Sequence, residues 1–241
     1  MTEQAREIAK YLKGRRIAYC PPFAPMHLLV PEMENGKYLI RHIDVDEEQV
    51  KKAKLFSIMG FEYREYYDFE PGRYVQLVRD PGEHDGCIVM SDTPMERRTN
   101  LRVLQLAKGD VLIAGLGIGM ILYPILNKPD VDSVTVVEIE RSITSMMHKT
   151  IVQWAKDAGK GLRIINDDIE LFDHQEKKYD TIYFDIWDEI SGDNWEQMKR
   201  LTNRFKYRRK PGGWMGAWRK ADMRESATGH YRSDHKEGFA K

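Results

Sequence analysis

Asp110–Glu140 reads DVLIAGLGIGMILYPILNKPDVDSVTVVEIE, and its order of residue types decides the fold. Val111–Ala114 is an apolar run of strand length. It enters three glycines at alternate positions, Gly115, Gly117 and Gly119. A helix-like segment follows, then a second apolar strand, Ser133–Val137, closed by Glu138. Strand, glycine turn, helix, strand and acid is the order in which an α/β sheet makes a nucleoside site. Glycines let the backbone pass close to a ligand, and a helix N-terminus offers free N–H groups. An acid about 20 residues on can accept from both ribose hydroxyls. Gly115, Gly117, Gly119 and Glu138 are therefore cofactor-binding candidates. The uncharged run Val111–Leu126 contains three glycines and Pro124 and is short of the ~20 residues that span a bilayer.

The alternation continues downstream. Strands are expected at 111–114, 133–137, 162–165, 181–184 and 214–218, and helices at Met95–Lys108, Arg141–Ala158, Ile169–His174 and Asp193–Tyr207. Alternating strands and helices predict a parallel, Rossmann-like α/β sheet. Ligands in such sheets bind beyond the carboxyl ends of the strands. There the third strand presents Asn166-Asp167-Asp168 and the fourth Asp185-Ile186-Trp187-Asp188. Asp167, Asp168 and Asp185 join the cofactor-binding candidates. Asp168 and Asp193, each preceding a helical pattern, can equally serve as helix caps.

Upstream, residues 1–93 read as a small, mostly β module. A helix is expected over 2–13, then the proline turn Cys20–Pro25. His27–Val30, Tyr38–Ile43, Phe61–Tyr67, Arg73–Val78 and Cys87–Met90 read as strands, with Asn35-Gly36 as a hairpin turn. Asp46–Met59 reads as a helix with Ala53, Leu55, Phe56 and Met59 on its apolar face. Residues 94–228 form the second module, and 229–241 a polar C-terminal tail.

Lysine plus arginine equals aspartate plus glutamate, 38 each, so no global field draws in bulk nucleic acid. The basic run Lys199–Lys210 reads as a solvated helix face. The two cysteines, Cys20 and Cys87, suggest no disulfide framework, and no H-x-x-H or C-x-x-C spacing points to a metal. The start MTEQAREIAK has no apolar signal core. A cytoplasmic protein without a membrane segment is the expectation.

Met120 stands where a G-x-G-x-x-G dinucleotide fingerprint needs its third glycine. G-x-G-x-G with an acid after the second strand instead resembles the class I methyltransferases that use S-adenosyl-L-methionine (SAM). Asp110–Asp188 further resembles their spermidine synthase-like branch, which joins a small N-terminal β domain to the SAM-type sheet. Val137-Glu138-Ile139-Glu140 resembles that branch's C-E-I-D run, which implies Glu138 on the ribose. Asn166-Asp167-Asp168 sits where the branch has G-D-[AG], implying Asp167 on the adenine side. Tyr179–Asp185 resembles F-D-V-I-I-x-D. Asp185 and Asp188 reproduce its D-x-x-D spacing, whose second aspartate takes a proton from the substrate amine. Lys210-Pro211-Gly212-Gly213 resembles the K-P-G-G turn before a late methyltransferase strand. FDIWDEISGDNW and GGWMGAWR look similar to small methyltransferase-like proteins of phages and mobile elements.

The departures matter too. Met95–Asn100 replaces the branch's D-E-x-x-Y-x-E stretch and brings Arg97 and Arg98, which would repel a diamine. The last strands of the usual seven-stranded sheet are missing or shortened after Trp218. The resemblance implies a SAM-dependent transferase, a methyltransferase before an aminopropyltransferase using decarboxylated SAM, with Asp188 or Asp185 as the base. A nucleoside-binding protein without turnover is the reading from another class. The acceptor is left open, as is the oligomeric state, with a homodimer through the N-terminal module the form that this branch often takes.

Overall fold

The computed structural model describes residues 23–58, 70–82, 86–173 and 177–228. Two sheets carry the architecture. The first is antiparallel with order β1-β2-β3-β4: β1 (Met33–Asn35), β2 (Tyr38–Val45), β3 (Gly72–Arg79) and β4 (Cys87–Ser91). The second is wholly parallel with order β7-β6-β5-β8-β9: β5 (Gly109–Ala114), β6 (Val131–Glu138), β7 (Gly161–Asn166), β8 (Tyr179–Phe184) and β9 (Arg209–Ala217). The order reverses between β5 and β8, a Rossmann-like arrangement whose switch point opens a crevice at the strand ends. In chain order the helices are α1 (Glu47–Ile58), α2 (Pro94–Thr99), α3 (Leu101–Leu106), α4 (Leu122–Leu126), α5 (Arg141–Ala158), α6 (Gly192–Phe205) and α7 (Lys220–Thr228).

The central strand explains itself. Val111, Leu112, Ile113 and Ala114 are all buried, as an unbroken apolar run must be when a parallel strand is covered on both faces. Helix α5 turns Ile143, Met147, Ile151, Trp154 and Ala155 inward, at helical spacing. It stops at Gly159, whose φ of +65° lets its N–H reach back to the Ala155 and Lys156 carbonyls. The buried core runs unbroken from Phe23 and Met26 through Leu77 to Phe205. Among the described residues, no helix is long and apolar enough to cross a membrane.

Several expectations shift. His27–Val30 is not a strand: Met26–Leu28 forms a 3-10 turn, because the Met26 N–H is drawn onto the buried carboxylate of Asp92 at 3.2 Å. The strand that pairs with Tyr38 across the Gly36 turn is Met33–Asn35 instead. The single helix expected over Met95–Lys108 breaks at Asn100. Its Nδ2 donates to the Glu96 carbonyl at 3.1 Å, and its Oδ1 accepts from the Tyr183 hydroxyl at 2.8 Å, so side chain competes with helix. In α1 it is Val50 that is buried, while Leu55 is exposed. Ile169 begins only a turn, and Ser191, not Asp193, caps α6 by accepting the Asn194 N–H at 3.3 Å. After β9 the chain continues as α7, so the parallel sheet has five strands among the described residues. The expected helix 2–13, strand 61–67 and tail 229–241 lie outside the described residues.

Asp92 ties the two halves together. Its Oδ1 accepts the Val75 N–H at 2.7 Å; its Oδ2 accepts from Met26 and, at 2.8 Å, from the Arg97 guanidinium. Asp92→Ala strands three donors, one of them a charge, and should cost about 3 kcal/mol of stability in urea unfolding.

Candidate active site

A cavity of about 320 Å³ lies between the first sheet and the carboxyl ends of the second. Its roof is Tyr38, Leu77, Arg79, Val89 and Met90 from β2, β3 and β4. Its floor is the β5 turn and the ends of β6 and β8, with Asp167 and Asp168 after β7. The strand-end residues expected at one site are thus brought together: Gly115, Gly117, Glu138, Asp167, Asp168, Asp185 and Asp188 all line it.

Gly119 does not. A Cβ there would lie 2.8 Å from the Trp154 ring, so this glycine serves the packing of α5 beneath the turn. The other two glycines also answer to the protein. A Cβ on Gly115 would strike the Asp185 carbonyl, and one on Gly117 the Met90 sulfur, and both carry positive φ. The turn's amides are engaged as well. Gly115 N–H donates to the Val137 carbonyl at 2.8 Å and Gly119 N–H to the Leu116 carbonyl at 2.9 Å. Leu116 N–H donates to Glu138 Oε2 at 2.7 Å, Gly117 N–H also points at Glu138, and Ile118 N–H donates to Met90 Sδ at 3.3 Å. The expected row of free N–H groups is therefore not there, and α4, five residues long, adds no N-terminal site.

Glu138 is buried, and its second oxygen accepts the Glu140 N–H at 2.8 Å. Burial pushes its carboxyl above the usual range, and the backbone donors from Glu140 and Leu116 oppose this. With Leu116, Gly117 and Glu140 all donating, the carboxylate's roughly four acceptor sites leave about one for a ligand. Asp167 Oδ1 accepts the Asp168 N–H and Asp168 Oδ1 the Glu170 N–H, each at 2.9 Å, so Asp168 shapes its own turn while facing the cavity.

The acceptor-side expectations change most. Asp188 is not a free base: it pairs with Arg79 Nη2 at 3.2 Å and links the β8 loop to the roof. Arg97 does not face the cavity, because it is bound to Asp92. Its neighbour Glu96 does, a residue missed in the sequence because the two following arginines masked it. Burial, then the charge of Asp185, pushes Glu96 up to about 8; burial pushes Asp185 up to about 7. Trp187 and Trp218 wall this end, held by bonds from Trp187 Nε1 to Gln197 (2.7 Å) and Trp218 Nε1 to Thr99 (3.0 Å). The basic run is largely occupied elsewhere: Arg200 on Glu170, Arg204 on the Phe172 carbonyl and Lys210 between Asp110 and Asp180.

No protein-family model matches the chain. Solved structures it resembles include a glycopeptide N-methyltransferase, MtfA, with SAM bound, at 21% identity and a TM-score of 0.35, covering 45% of this chain and 46% of that one. The CcbJ methyltransferase of Streptomyces caelestis matches at 15% identity and 0.37, covering 44% and 41%. A Thermoplasma acidophilum protein described as a methyltransferase matches at 24% and 0.34, covering 47% and 45%. The chain thus spans about half the length of these structures or less. What it does is read from its own cavity.

Glu96 and Asp185 hold protons more tightly folded than unfolded, where ordinary values near 4.5 and 3.8 apply. Stability is then fully present at low pH and is lost as pH rises toward about 8. The urea midpoint should fall between pH 5 and 8, and Glu96→Gln should flatten that slope.

Proposed function

We propose that the cavity binds SAM and that the protein is a SAM-dependent methyltransferase. The observation that carries this reading is Glu138: an acid at the end of β6, fixed by the glycine turn, with acceptor capacity left over toward the cavity. A ribose hydroxyl can donate to that remaining site. The remaining lining suits the rest of the molecule. Asp167 lies where the adenine would reach, and the carboxyl-rich floor favours a sulfonium and an ammonium group. The residues present therefore fit SAM, with Glu138 and Asp167 holding it and the Gly115–Gly117 turn lining the same cavity. When bound, SAM supplies a methyl group on a positively charged sulfur, already electrophilic.

The chain's own contribution is to place an acceptor, exclude water and take a proton. The roof of β2–β4 closes the cavity from above. Asp188, bound to Arg79, is a closure contact in this reading, and the base passes to Asp185 at the floor.

One observation favours a second form of the cofactor. Among the described residues, the single basic side chain lining the cavity, Arg79, is already paired, and the turn's amides are engaged, so the carboxylate of SAM finds no ready cation there. Decarboxylated SAM lacks that group. Calorimetry with both forms decides between them: SAM is expected to bind at least as tightly, and a clear preference for the decarboxylated form would reverse the assignment.

S-adenosylhomocysteine should bind at micromolar strength. Glu138→Ala should weaken it by about 1.5–3 kcal/mol and lower the melting temperature as well, because one carboxylate serves both ligand and turn. A fall in stability with unchanged affinity would leave Glu138 as a turn clamp alone.

A further inference from the structure

We propose that Glu96 and Asp185 work as one proton-receiving pair, and that the acceptor they serve is a compact monoammonium compound with an apolar body. The proposal rests on the reading that this cavity holds a transfer cofactor, and extends it to the acceptor.

The two carboxyls come from different elements, Glu96 from the first turn of α2 and Asp185 from the residue after β8, and both line the same cavity. They lie close enough for the charge of Asp185 to act on Glu96. Glu96 accepts a backbone bond from Ser91. Asp185 has no side-chain donor among the described residues, and its half-buried carboxyl lines the cavity. A carboxyl left open to the cavity there can receive a proton or a positive charge.

The groups facing the pair point the same way. Tyr183 of β8 is held as a neutral phenol by burial and bonds to Asn100. Arg97 of α2 is bound to Asp92. Arg219, after β9, acts on Glu96 from a distance while its Nε bonds to Asp222. Arg79 of β3 is paired with Asp188, itself on the β8 loop. Among the described residues, the pair therefore has no ion-pair partner of its own. Among the described residues seven carboxyl side chains and one guanidinium line the cavity; even with Asp188 on Arg79, Lys37 beside Glu140, and Glu96 and Asp185 holding protons up to about 8 and 7, that lining favours a cation over an anion. Trp187, at the same end, adds an aromatic wall for an apolar body, while the Trp218 ring already carries the Arg219 guanidinium at 6.0 Å.

Size limits the acceptor. At about 320 Å³ the cavity is at the small end of ligand sites, roughly 300–1,000 Å³, and a nucleoside takes most of that space. That leaves little room beside a cofactor, which favours a single ammonium on a short or ring-shaped body over an extended polycation. The proton step is balanced. The acceptor R–NH₃⁺ loses one N–H bond, an O–H bond forms on the Glu96–Asp185 pair, and the nitrogen keeps its electron pair as the nucleophile. The carboxyl's proton later passes to water. Two neighbouring carboxyls suit this, because the negative charge of one raises the basicity of the other.

The test uses benzylamine as probe and two readouts that do not depend on turnover. Carboxyl-carbon NMR of the complex with S-adenosylhomocysteine should show Glu96 titrating near pH 8, and Asp185→Asn should lower that midpoint by about 1 in pH. Calorimetry on the same complex should show benzylammonium binding, weakened about 10-fold by Glu96→Gln, with spermidine bound more weakly than benzylamine. S-adenosylhomocysteine affinity should stay within about twofold in Glu96→Gln. A Glu96 midpoint indifferent to Asp185→Asn, benzylammonium binding that is absent or unchanged in Glu96→Gln, or tighter spermidine binding, would each overturn the proposal. Failure of the cofactor reading shows separately, as wild-type protein that does not bind S-adenosylhomocysteine at all.

Discussion

The bond from the Leu116 N–H to Glu138 is the contact on which the site depends. It joins the turn after β5, the central strand beside the switch point, to the end of β6. Without it the turn Gly115–Gly119 would have to satisfy a buried amide elsewhere, and the first glycine would lose its seat against Asp185. The same carboxylate receives the Glu140 N–H, and so sets the direction in which the chain leaves β6 for α5. Asp167 N–H then bonds to the Glu138 carbonyl at 3.1 Å, which brings in β7, and Asp185 N–H to the Ala114 carbonyl at 2.8 Å, which brings in β8. Three strand ends are thus locked around Glu138, and the fourth, β8, is tied to β5. A buried carboxylate is costly unless it is fully hydrogen-bonded. Here the donors that stabilise it are the backbone groups it positions.

The first sheet is part of the site. Met90 enters the gap left by Gly117, and its sulfur accepts the Ile118 amide. Arg79 reaches down to Asp188, Lys37 lies 3.4 Å from Glu140, and Tyr38 bonds to Glu140 as well. Each contact crosses from the roof to a strand end or to the segment opening α5. Exposed ion pairs of this kind contribute little to stability. Their value is positional: they fix how far the roof stands from the floor, and so the volume in which a cofactor and an acceptor must meet.

The parallel sheet was legible because its strands are apolar runs bounded by glycine and acid, a pattern set by burial on both faces. Glu138, Asp167 and Asp185 were legible because topology alone carries strand ends to one crevice. The short elements were not. His27–Val30 is apolar enough for a strand, and only the long-range pull of Asp92, 66 positions from Met26, makes it a turn. The break at Asn100 depends on Tyr183, 83 positions away. Glu96 was hidden for a similar reason: its neighbour Arg97 looked like part of the site, and nothing local says that Asp92 would take that arginine. The partnership of Asp188 with Arg79 likewise joins two modules whose contact no local pattern encodes.

The most direct test of Glu138 as the common support of turn and ligand is a crystal structure with S-adenosylhomocysteine bound. The account predicts the ribose hydroxyls on the Glu138 carboxylate, the base toward Asp167, and the Leu116–Glu138 bond intact. A nucleoside bound outside this cavity, or a Glu138 side chain turned away from both ligand and turn, would contradict it.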